Sequence, residues 1–203
     1  DKCKTLHVGK KQDSLYYMDG KTLETVHEEK DVGVFMDNNL NFKTHINTKV
    51  NKANSVMGVI RRSFSYLDSN IFKKLFKALV RPHLEYAAPI WNPHMKYLIE
   101  EVENVQRRAT KRIPGFRDKS YVERLTELQL PCLIYRRLRG DLIETYKITT
   151  EIYDNTVTKD LLTLNNSEER RTRGHSKKLK ISYSRLNMRK NFFSNRVAPI
   201  WNG

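Results

Sequence analysis

The sequence predicts an α+β fold that is mainly α, and two observations carry this prediction. In residues 1–42, polar and apolar residues alternate between turn dipeptides, as they do in short β-strands. From about Lys43 onward, apolar residues recur every three or four positions, as they do on one face of a helix. We therefore expect a small antiparallel β segment over 1–42, a helical bundle over 43–150 and a basic C-terminal extension over 151–203.

The N-terminal segment contains four strand-like stretches. Residues 4–9 alternate polar and apolar, and residues 15–18 lead into the Asp-Gly dipeptide at 19–20, which is a strong hairpin signal. Residues 21–27 can return as the second strand of that hairpin, and residues 31–36 form a further apolar run. Together these stretches predict one small antiparallel sheet with an acidic surface.

The first predicted helix begins at about Lys43 and shows a regular apolar face. Its expected inward positions are Ile46, Val50, Ala53, Met57 and Ile60. Either Asp68 or Ser69 can cap the next helix, because both side chains accept hydrogen bonds from backbone N–H groups at a helix start.

The stretch from 71 to 91 combines a strongly apolar helix with a basic face and two prolines. Six apolar residues are expected on one buried stripe, namely Ile71, Phe72, Leu75, Phe76, Leu79 and Val80. Pro82 can begin a new helical segment but cannot continue the old one without a kink. We therefore expect a second short helix, bent or ended by Pro89 and Pro93, with Leu84, Ala87, Ala88 and Trp91 turned inward.

Four further helices are predicted, over about 96–112, 119–129, 132–150 and 187–201. The first of them is acidic in its first turns and basic in its last turn, which suits the helix dipole. Their expected inward residues are Leu98, Val102, Val105, Ala109; Tyr121, Leu125, Leu128; Leu133, Leu138, Leu142, Ile143, Tyr146; and Phe192, Phe193, Val197, Ile200, Trp201.

The net charge of +15 is distributed unevenly along the chain. The excess of lysine and arginine lies in residues 43–81, 107–147 and 168–203, whereas the segments between them are net acidic. Separate basic blocks on structured segments favour a polyanionic partner, above all nucleic acid. A basic protein that needs only solubility, or a helical domain whose basic face binds an acidic protein, remains an alternative.

The candidate nucleic-acid-binding residues are the cations of these blocks. Contacts of such side chains with phosphates depend on salt and do not read sequence. The set comprises Lys73, Lys74, Lys77, Arg81, Arg107, Arg108, Lys111, Arg112, Arg136, Arg137, Arg139, Arg170, Arg171, Arg173, Lys177 and Lys178.

Catalytic and metal-binding patterns are scarce. The sequence has no Asp-Asp pair, no glycine-rich phosphate loop and no G-x-S-x-G. Asp31 and Asp37 flank an apolar run and are interpreted as a strand entry and a turn residue. Asp141 and Glu144 lie one turn apart within a basic helix and are expected to pair with Arg137, Arg139 or Lys147 rather than bind metal.

The two cysteines, Cys3 and Cys132, lie far apart and are interpreted as ordinary reduced thiols. Cys3 and His7 would supply only two ligands, so no zinc site is assigned. No apolar run approaches the length of a membrane span, and no signal peptide is evident at the start. An intracellular protein without a membrane partner is expected.

Eight segments, in this order, resemble the C-terminal part of the reverse transcriptase of non-LTR retrotransposons, of the LINE-type, jockey-like group. The resemblance covers nearly the whole chain. The segments read K-C-K-x-L-H-V-G at 2–9, E-K-D-V-G-V-x-x-D at 29–37, L-F-K-A-L-V-R-P-H-L-E-Y-A-A-P-I-W at 75–91, V-Q-R-R-A-T-K-R-I-P-G at 105–115, Y-x-E-R-L-x-x-L-x-L-P at 121–131, Y-R-R-L-R-G-D-L-I-E-T-Y-K at 135–147, R-T-R-G-H-S at 171–176 and R-K-N-F-F-S-N-R-V at 189–197.

The resemblance implies that residues 1–42 end the polymerase palm and that the following helices form the thumb, which holds the RNA template and DNA primer. Residues 32–37 would lie near the strand turn that holds the primer end. The family's catalytic aspartates, with their Mg²⁺, belong to the palm upstream of such a segment. The chain alone is therefore expected to be inactive and to need no cofactor. The resemblance also implies the palm and fingers of the same polypeptide as partners, and a nuclear location for the intact element.

One alternative has the same ancestry but a different role. The chain could be a free-standing nucleic-acid-binding module derived from a transposon relic. The sequence upstream of Asp1 separates the two hypotheses, because a polymerase would carry an aromatic residue followed by paired aspartates there.

Overall fold

The computed structural model describes residues 3–9, 14–165 and 177–203. Over these residues, six short strands come first and are followed by helices, which account for more than half of the residues described. This order confirms the predicted α+β, mainly α, class. Among the described residues, no helix is both long enough and apolar enough to cross a membrane.

The strands form three separate two-stranded pairs. The Asp-Gly hairpin is confirmed: β2 and β3 pair antiparallel across Asp19 and Gly20. Both turn residues have positive φ, at 50° and 73°, as a two-residue turn that matches the strand twist requires. The six strands are β1 (Lys4–Leu6), β2 (Tyr17–Met18), β3 (Lys21–Thr22), β4 (Glu24–Val26), β5 (Glu28–Asp31) and β6 (Val34–Asp37).

The prediction of one antiparallel sheet was wrong in two respects. Residues 21–27 divide between two partners, and β4 pairs with β1 in a parallel arrangement. Residues 31–36 contain a turn, since Val32 and Gly33 have φ of 43° and 80° and join β5 to β6. Val34 is the one buried residue among those described before residue 43, so these strands share no apolar face that would gather them into a single sheet.

The hairpin of β5 and β6 also separates the two aspartates that flank it. Asp31 ends β5 beside the turn, so it is not a strand entry, whereas Asp37 ends β6 at the far end of the pair. The turn role of Asp37 is confirmed: its carboxylate accepts hydrogen bonds from the backbone N–H groups of Asn39, Asn41 and Phe42, at 3.0, 3.2 and 2.7 Å. These bonds fix the start of the first helix.

Helix α1 (Lys43–Ser63) follows its predicted pattern, since all five predicted inward residues are buried. His45 is buried with them, and its Nδ1 accepts a hydrogen bond from the N–H of Phe35 at 3.3 Å. The His45 ring also packs against Trp91, with ring centroids 5.3 Å apart. The first turn of α1 therefore links β6 to the helical core.

Burial, and then the nearby charge of Lys49, lower the pKa of His45 from 6.5 to about 4. The unfolded chain therefore binds a proton that the folded chain excludes between these pH values, so the free energy of unfolding falls as pH drops from 6.5 to 4. We expect His45→Gln to remove this part of the pH dependence, as measured by urea unfolding at a series of pH values. An equal slope in the variant would assign the effect to other groups.

The next helix starts at the predicted cap but buries a narrower face than predicted. The Asp68 carboxylate accepts hydrogen bonds from the N–H groups of Asn70 and Ile71 at 2.7 and 2.8 Å. The buried residues lie four apart, at Phe72, Phe76 and Val80. Ile71 and Leu79 are 37% and 46% exposed, so the prediction of a six-residue buried stripe was wrong.

A π-helical turn and a left-handed residue shape the segment that follows. The chain runs through α2 (Ser69–Leu75), the π-helical turn Phe76–Val80, α3 (Arg81–Glu85) and α4 (Ala88–Trp91). Pro82 lies in the first turn of α3, as predicted, and Pro89 in the first turn of α4. Ala87 between them has φ of 53°, so the predicted second helix is two short ones.

Helices α5 (Lys96–Thr110) and α6 (Tyr121–Leu128) form where they were predicted, but of the inward residues predicted for α6 only Leu128 is buried, and Tyr121 and Leu125 are half-buried. All four predicted inward residues of α5 are buried. Helix α6 begins with a capping box, in which Ser120 and Glu123 exchange hydrogen bonds between side chain and backbone.

Helix α7 (Leu133–Thr149) faces the core with a side that the sequence did not predict. Its buried residues, spaced four apart, are Leu133, Arg137, Asp141 and Thr145. Of the predicted inward residues, Ile143 and Tyr146 are 36% and 54% exposed. The prediction was right for Leu133 and failed at the other three positions, because it counted apolar residues. Arg137 and Asp141 instead bind side chains from elsewhere in the chain, Asn92 and Arg196.

The C-terminal region is a smaller unit packed around its own apolar cluster. It contains α8 (Asn155–Thr158), α9 (Asn187–Lys190) and α10 (Phe193–Asn202). The predicted 187–201 helix is therefore interrupted, and Phe192 and Ile200 are exposed. Leu179, Val197 and Ala198 form the buried cluster, whereas the main core extends from Val34 through α1, α5 and the start of α7.

Candidate nucleic-acid interface

The exposed side of α1 carries a row of short polar residues. None of the 21 residues of α1 is acidic. Five exposed residues of this side, which we call the α1 surface, are Thr44, Thr48, Asn51, Ser55 and Arg62. They are spaced four, three, four and seven residues apart, so they follow one side of the helix. These side chains offer hydrogen-bond donors without a carboxylate to repel phosphate.

The basic end of α5 lies along one edge of the α1 surface. Arg108 Nη2 is 3.5 Å from Asn54 Oδ1 on α1, and Arg108 Nε donates to the carbonyl of Asn104 at 3.2 Å. Arg107 lies over the ring of Tyr121, 5.3 Å from the centroid. The predicted group of Arg107, Arg108, Lys111 and Arg112 is thus exposed at the end of one helix and adjoins a second.

The other edge of the α1 surface carries a cationic group that the sequence did not single out. Burial, followed by the charges of Lys52 and Lys49, lowers the pKa of His83 on α3. Lys49 also lies over the ring of Tyr86, 5.6 Å from its centroid. The Tyr86 hydroxyl donates to the carbonyl of Val32 at 2.9 Å. The three-residue spacing of Lys49 and Lys52 was a usable signal, but their proximity to His83 depends on tertiary packing.

The predicted cations of α2, the π-helical turn and α3 differ in their exposure to solvent and in their ion pairing. Lys74 and Lys77 are exposed, and Lys73 is half-buried. Arg81 pairs with Glu85, with Arg81 Nε 3.6 Å from Glu85 Oε1. Burial lowers the pKa of Arg81, against the opposing effect of Glu85. Arg81 therefore belongs both to the basic face and to the group of ion pairs around Glu85.

The predicted cations of α7 do not form one basic face. Arg136 binds Glu85 with two hydrogen bonds, one of them from Nη2 to Oε2 at 2.8 Å. Arg137 is only 2% exposed, and burial lowers its pKa. Arg139 alone of the three is exposed. A surface role for Arg137 does not agree with its position, since its guanidinium is inside the protein.

The C-terminal cations can be placed only in part. Lys177 is half-buried and donates from Nζ to the carbonyl of Thr149 at 3.2 Å, which places a cation at the C-terminal end of α7. Lys178 is also half-buried and engaged in contacts. Arg170, Arg171 and Arg173 lie outside the described residues.

The two acidic residues of α7 have different partners. Glu144 pairs with Lys147 at 2.8 Å, as predicted. Asp141 was expected to pair within its own helix, and this was wrong: its carboxylate accepts from Arg196 of α10 and from Asn92 after α4, at 3.0 Å in each case. These contacts join three separate parts of the chain.

Cys3 is an exposed free thiol and Cys132 a half-buried one. The Cys132 sulfur accepts a hydrogen bond from the N–H of Tyr135 at 3.4 Å at the start of α7. Within residues 3–9, 14–165 and 177–203, no three His, Cys, Asp or Glu side chains are grouped as a metal site requires.

Comparison with known proteins finds a distant relative. An uncharacterized protein of Caenorhabditis elegans, B0403.1, is 27% identical over 119 residues, which is 57% of this chain and 60% of that relative. The chain thus spans 60% of the length of the curated relative it matches. No family model matches the chain, and no solved structure does.

Proposed function

We propose that this chain is the end of the palm and the thumb of a non-LTR retrotransposon reverse transcriptase, and that its basic helical faces hold the RNA–DNA template–primer duplex. The observation that carries the proposal is the α1 surface with cations along both edges. One edge has Arg107, Arg108, Lys111 and Arg112; the other has Lys49 and Lys52, which lie close to His83.

The arrangement suits a duplex because it combines two kinds of contact. The cations at the edges can neutralise phosphates of the two strands, which supplies affinity without sequence preference. The short hydroxyl and amide side chains between them can donate to sugar and phosphate oxygens without excluding the backbone by bulk. A polymerase that moves along its template needs such sequence-independent contacts.

The proposal assigns polymerisation to the palm and fingers of the same polypeptide, which would supply the carboxylates and Mg²⁺. The described N-terminal strands support this partner. Leu15, Tyr17 and Val32 are 71%, 63% and 77% exposed around strands that pair only two by two. Strand edges and apolar side chains of this kind are normally covered by further chain. A nuclear location follows for the intact element.

Reversing the charge of Arg107, Arg108, Lys111 and Arg112 to Glu tests the proposal. We expect the affinity for an RNA–DNA duplex to fall. The negative slope of log K against log salt should become shallower by about 2–4, since each phosphate contact contributes about 0.9 to its magnitude. Fluorescence anisotropy over a salt series measures both quantities. All four residues are exposed, so the melting temperature should stay close to that of the parent protein.

A matched control separates a local effect from total charge. Reversing Lys21, Lys30, Lys96 and Lys159 changes the net charge equally, at exposed lysines outside the interface. Equal losses of affinity in the two variants would mean that only net charge matters. Unchanged affinity of the first variant at moderate salt would remove these four residues from the interface.

A further inference from the structure

A large apolar groove lies on the protein beside α7, and the proposed function makes no use of it. Its volume is about 810 Å³. One wall is the side of α7 from Arg136 to Ile148, about 18 Å long at the rise of an α-helix. The opposite walls come from the β6–α1 connection, the α4 region and the α9–α10 junction.

The groove leaves apolar side chains in contact with solvent. Ile90, Ile143 and Phe192, which come from three separate parts of the chain, are 55%, 36% and 40% exposed and line it together. Converging apolar side chains of this kind, bordered by polar residues, are typical of a binding surface.

The charges in the groove are unbalanced toward the positive. Both lining carboxylates are already paired, Glu85 with Arg81 and Arg136, and Glu144 with Lys147. Of the three lining arginines, only Arg139 is both exposed and without a carboxylate partner among the described residues.

The arginines of the groove differ in accessibility. Arg137 is buried: its Nε donates to Asn92 Oδ1 at 3.1 Å, and its enclosed Nη1 has no hydrogen-bond partner among the described residues. Arg139 lies two residues further on and is exposed, where it can bind a carboxylate.

We propose that this groove binds an acidic amphipathic helix of a partner protein. The apolar face of the partner would cover Ile90, Ile143 and Phe192, and a carboxylate beside that face would meet Arg139. The net charge of +15 favours the encounter with an acidic partner. This proposal concerns a different surface from the α1 surface and does not depend on the proposed function.

The lining elements favour a helix over an extended peptide. The longest wall is α7, and the backbone groups in the interior of this helix are bonded within it. This wall offers no strand edge to an extended peptide, whose own N–H and C=O groups would be left unbonded against apolar side chains. A helix satisfies its backbone internally, and about 12 residues of helix match the 18 Å wall.

The test uses a fluorescein-labelled helical peptide of leucine, alanine and glutamate, with leucines at i, i+3, i+4 and i+7. A second peptide has the same composition but leucines on all sides of the helix, so that both carry equal charge. At physiological salt, we expect the amphipathic peptide to bind at least about tenfold more tightly, because only its leucines can enter the groove together.

Protein variants locate the binding site. Ile90→Asp and Phe192→Asp should each weaken the amphipathic peptide about tenfold, since a charge would be placed against its leucines. Ile181→Asp is the matched control, because Ile181 is 59% exposed and does not line the groove. Equal binding of the two peptides, or an equal loss with Ile181→Asp, would overturn the proposal.

Discussion

Replacing Trp91 by Ala is expected to lower the free energy of unfolding by about 3–5 kcal/mol, the range for removing a large aromatic side chain from a core. Trp91 is 1% exposed and is among the largest buried side chains described. Its indole Nε1 donates to the carbonyl of Tyr86 at 2.6 Å, beside the left-handed Ala87 that separates α3 from α4. The substitution would therefore leave a cavity and also free a carbonyl at a chain reversal.

Two further variants divide this effect into its parts. Trp91→Phe keeps most of the apolar volume and loses the hydrogen bond, so it should cost less than Trp91→Ala. Tyr183→Ala removes an aromatic ring that is 88% exposed and should change stability by at most about 0.5 kcal/mol. Urea unfolding gives all three values. A Trp91→Ala protein as stable as its parent would show that the indole does not support the core.

The burial of Trp91 was predictable because local pattern and tertiary packing agree in this part of the chain. The same holds for α1, whose apolar residues lie on one side and meet the core as predicted. The width of the buried stripe that includes Ile71 and Leu79 was overestimated. The neighbouring helices cover only part of this apolar face, so both residues stay exposed. Turn geometry was predictable where an Asp-Gly dipeptide marks it, at 19–20, but the turn at Val32 and Gly33 was hidden inside an apolar run.

The candidate interface was predictable only where cations that are neighbours in the sequence are also exposed on the surface. The end of α5 is such a case, since Arg107, Arg108, Lys111 and Arg112 lie within six residues at one helix end and all four are exposed. Arg137 is the opposite case, because its neighbours Arg136 and Arg139 made it look like part of a basic face while its side chain lies inside. Its partner Asn92 is 45 residues away, and no spacing within α7 could have indicated that contact.

The polar side of α7 leads to the second large effect, which concerns Asp141. We expect Asp141→Ala to lower the free energy of unfolding by about 3–5 kcal/mol, because removing one partner of a buried ion pair leaves the other charge buried. Arg196 binds Asp141 through Nε and Nη2, and its side chain is 16% exposed. Asn92 would lose the acceptor of its amide as well.

The structural reason for this cost is that Asp141 joins elements that are far apart in the sequence. Arg196 also donates to the carbonyls of Pro89 and Asn191, at 2.5 and 3.1 Å, so the pair connects α7, α4 and the α9–α10 junction. If this junction cooperates with the main core, urea unfolding followed by tryptophan fluorescence and by circular dichroism should give one shared midpoint in the parent protein. In Asp141→Ala, we expect the C-terminal region to unfold at a lower urea concentration than the main core, so that the midpoints from the two probes differ.

A double-mutant cycle isolates the ion pair itself. Arg196→Met removes the charge and keeps most of the side-chain length, so Asp141→Ala combined with Arg196→Met should be more stable than Asp141→Ala alone. Arg189→Met, at an exposed arginine in the neighbouring turn, controls for the loss of one positive charge. Arg196→Met and Arg189→Met are each combined with Asp141→Ala. If the two combinations are equally stable and neither is more stable than Asp141→Ala alone, Asp141 acts through its bond to Asn92. The ion pair between α7 and α10 then contributes little to stability.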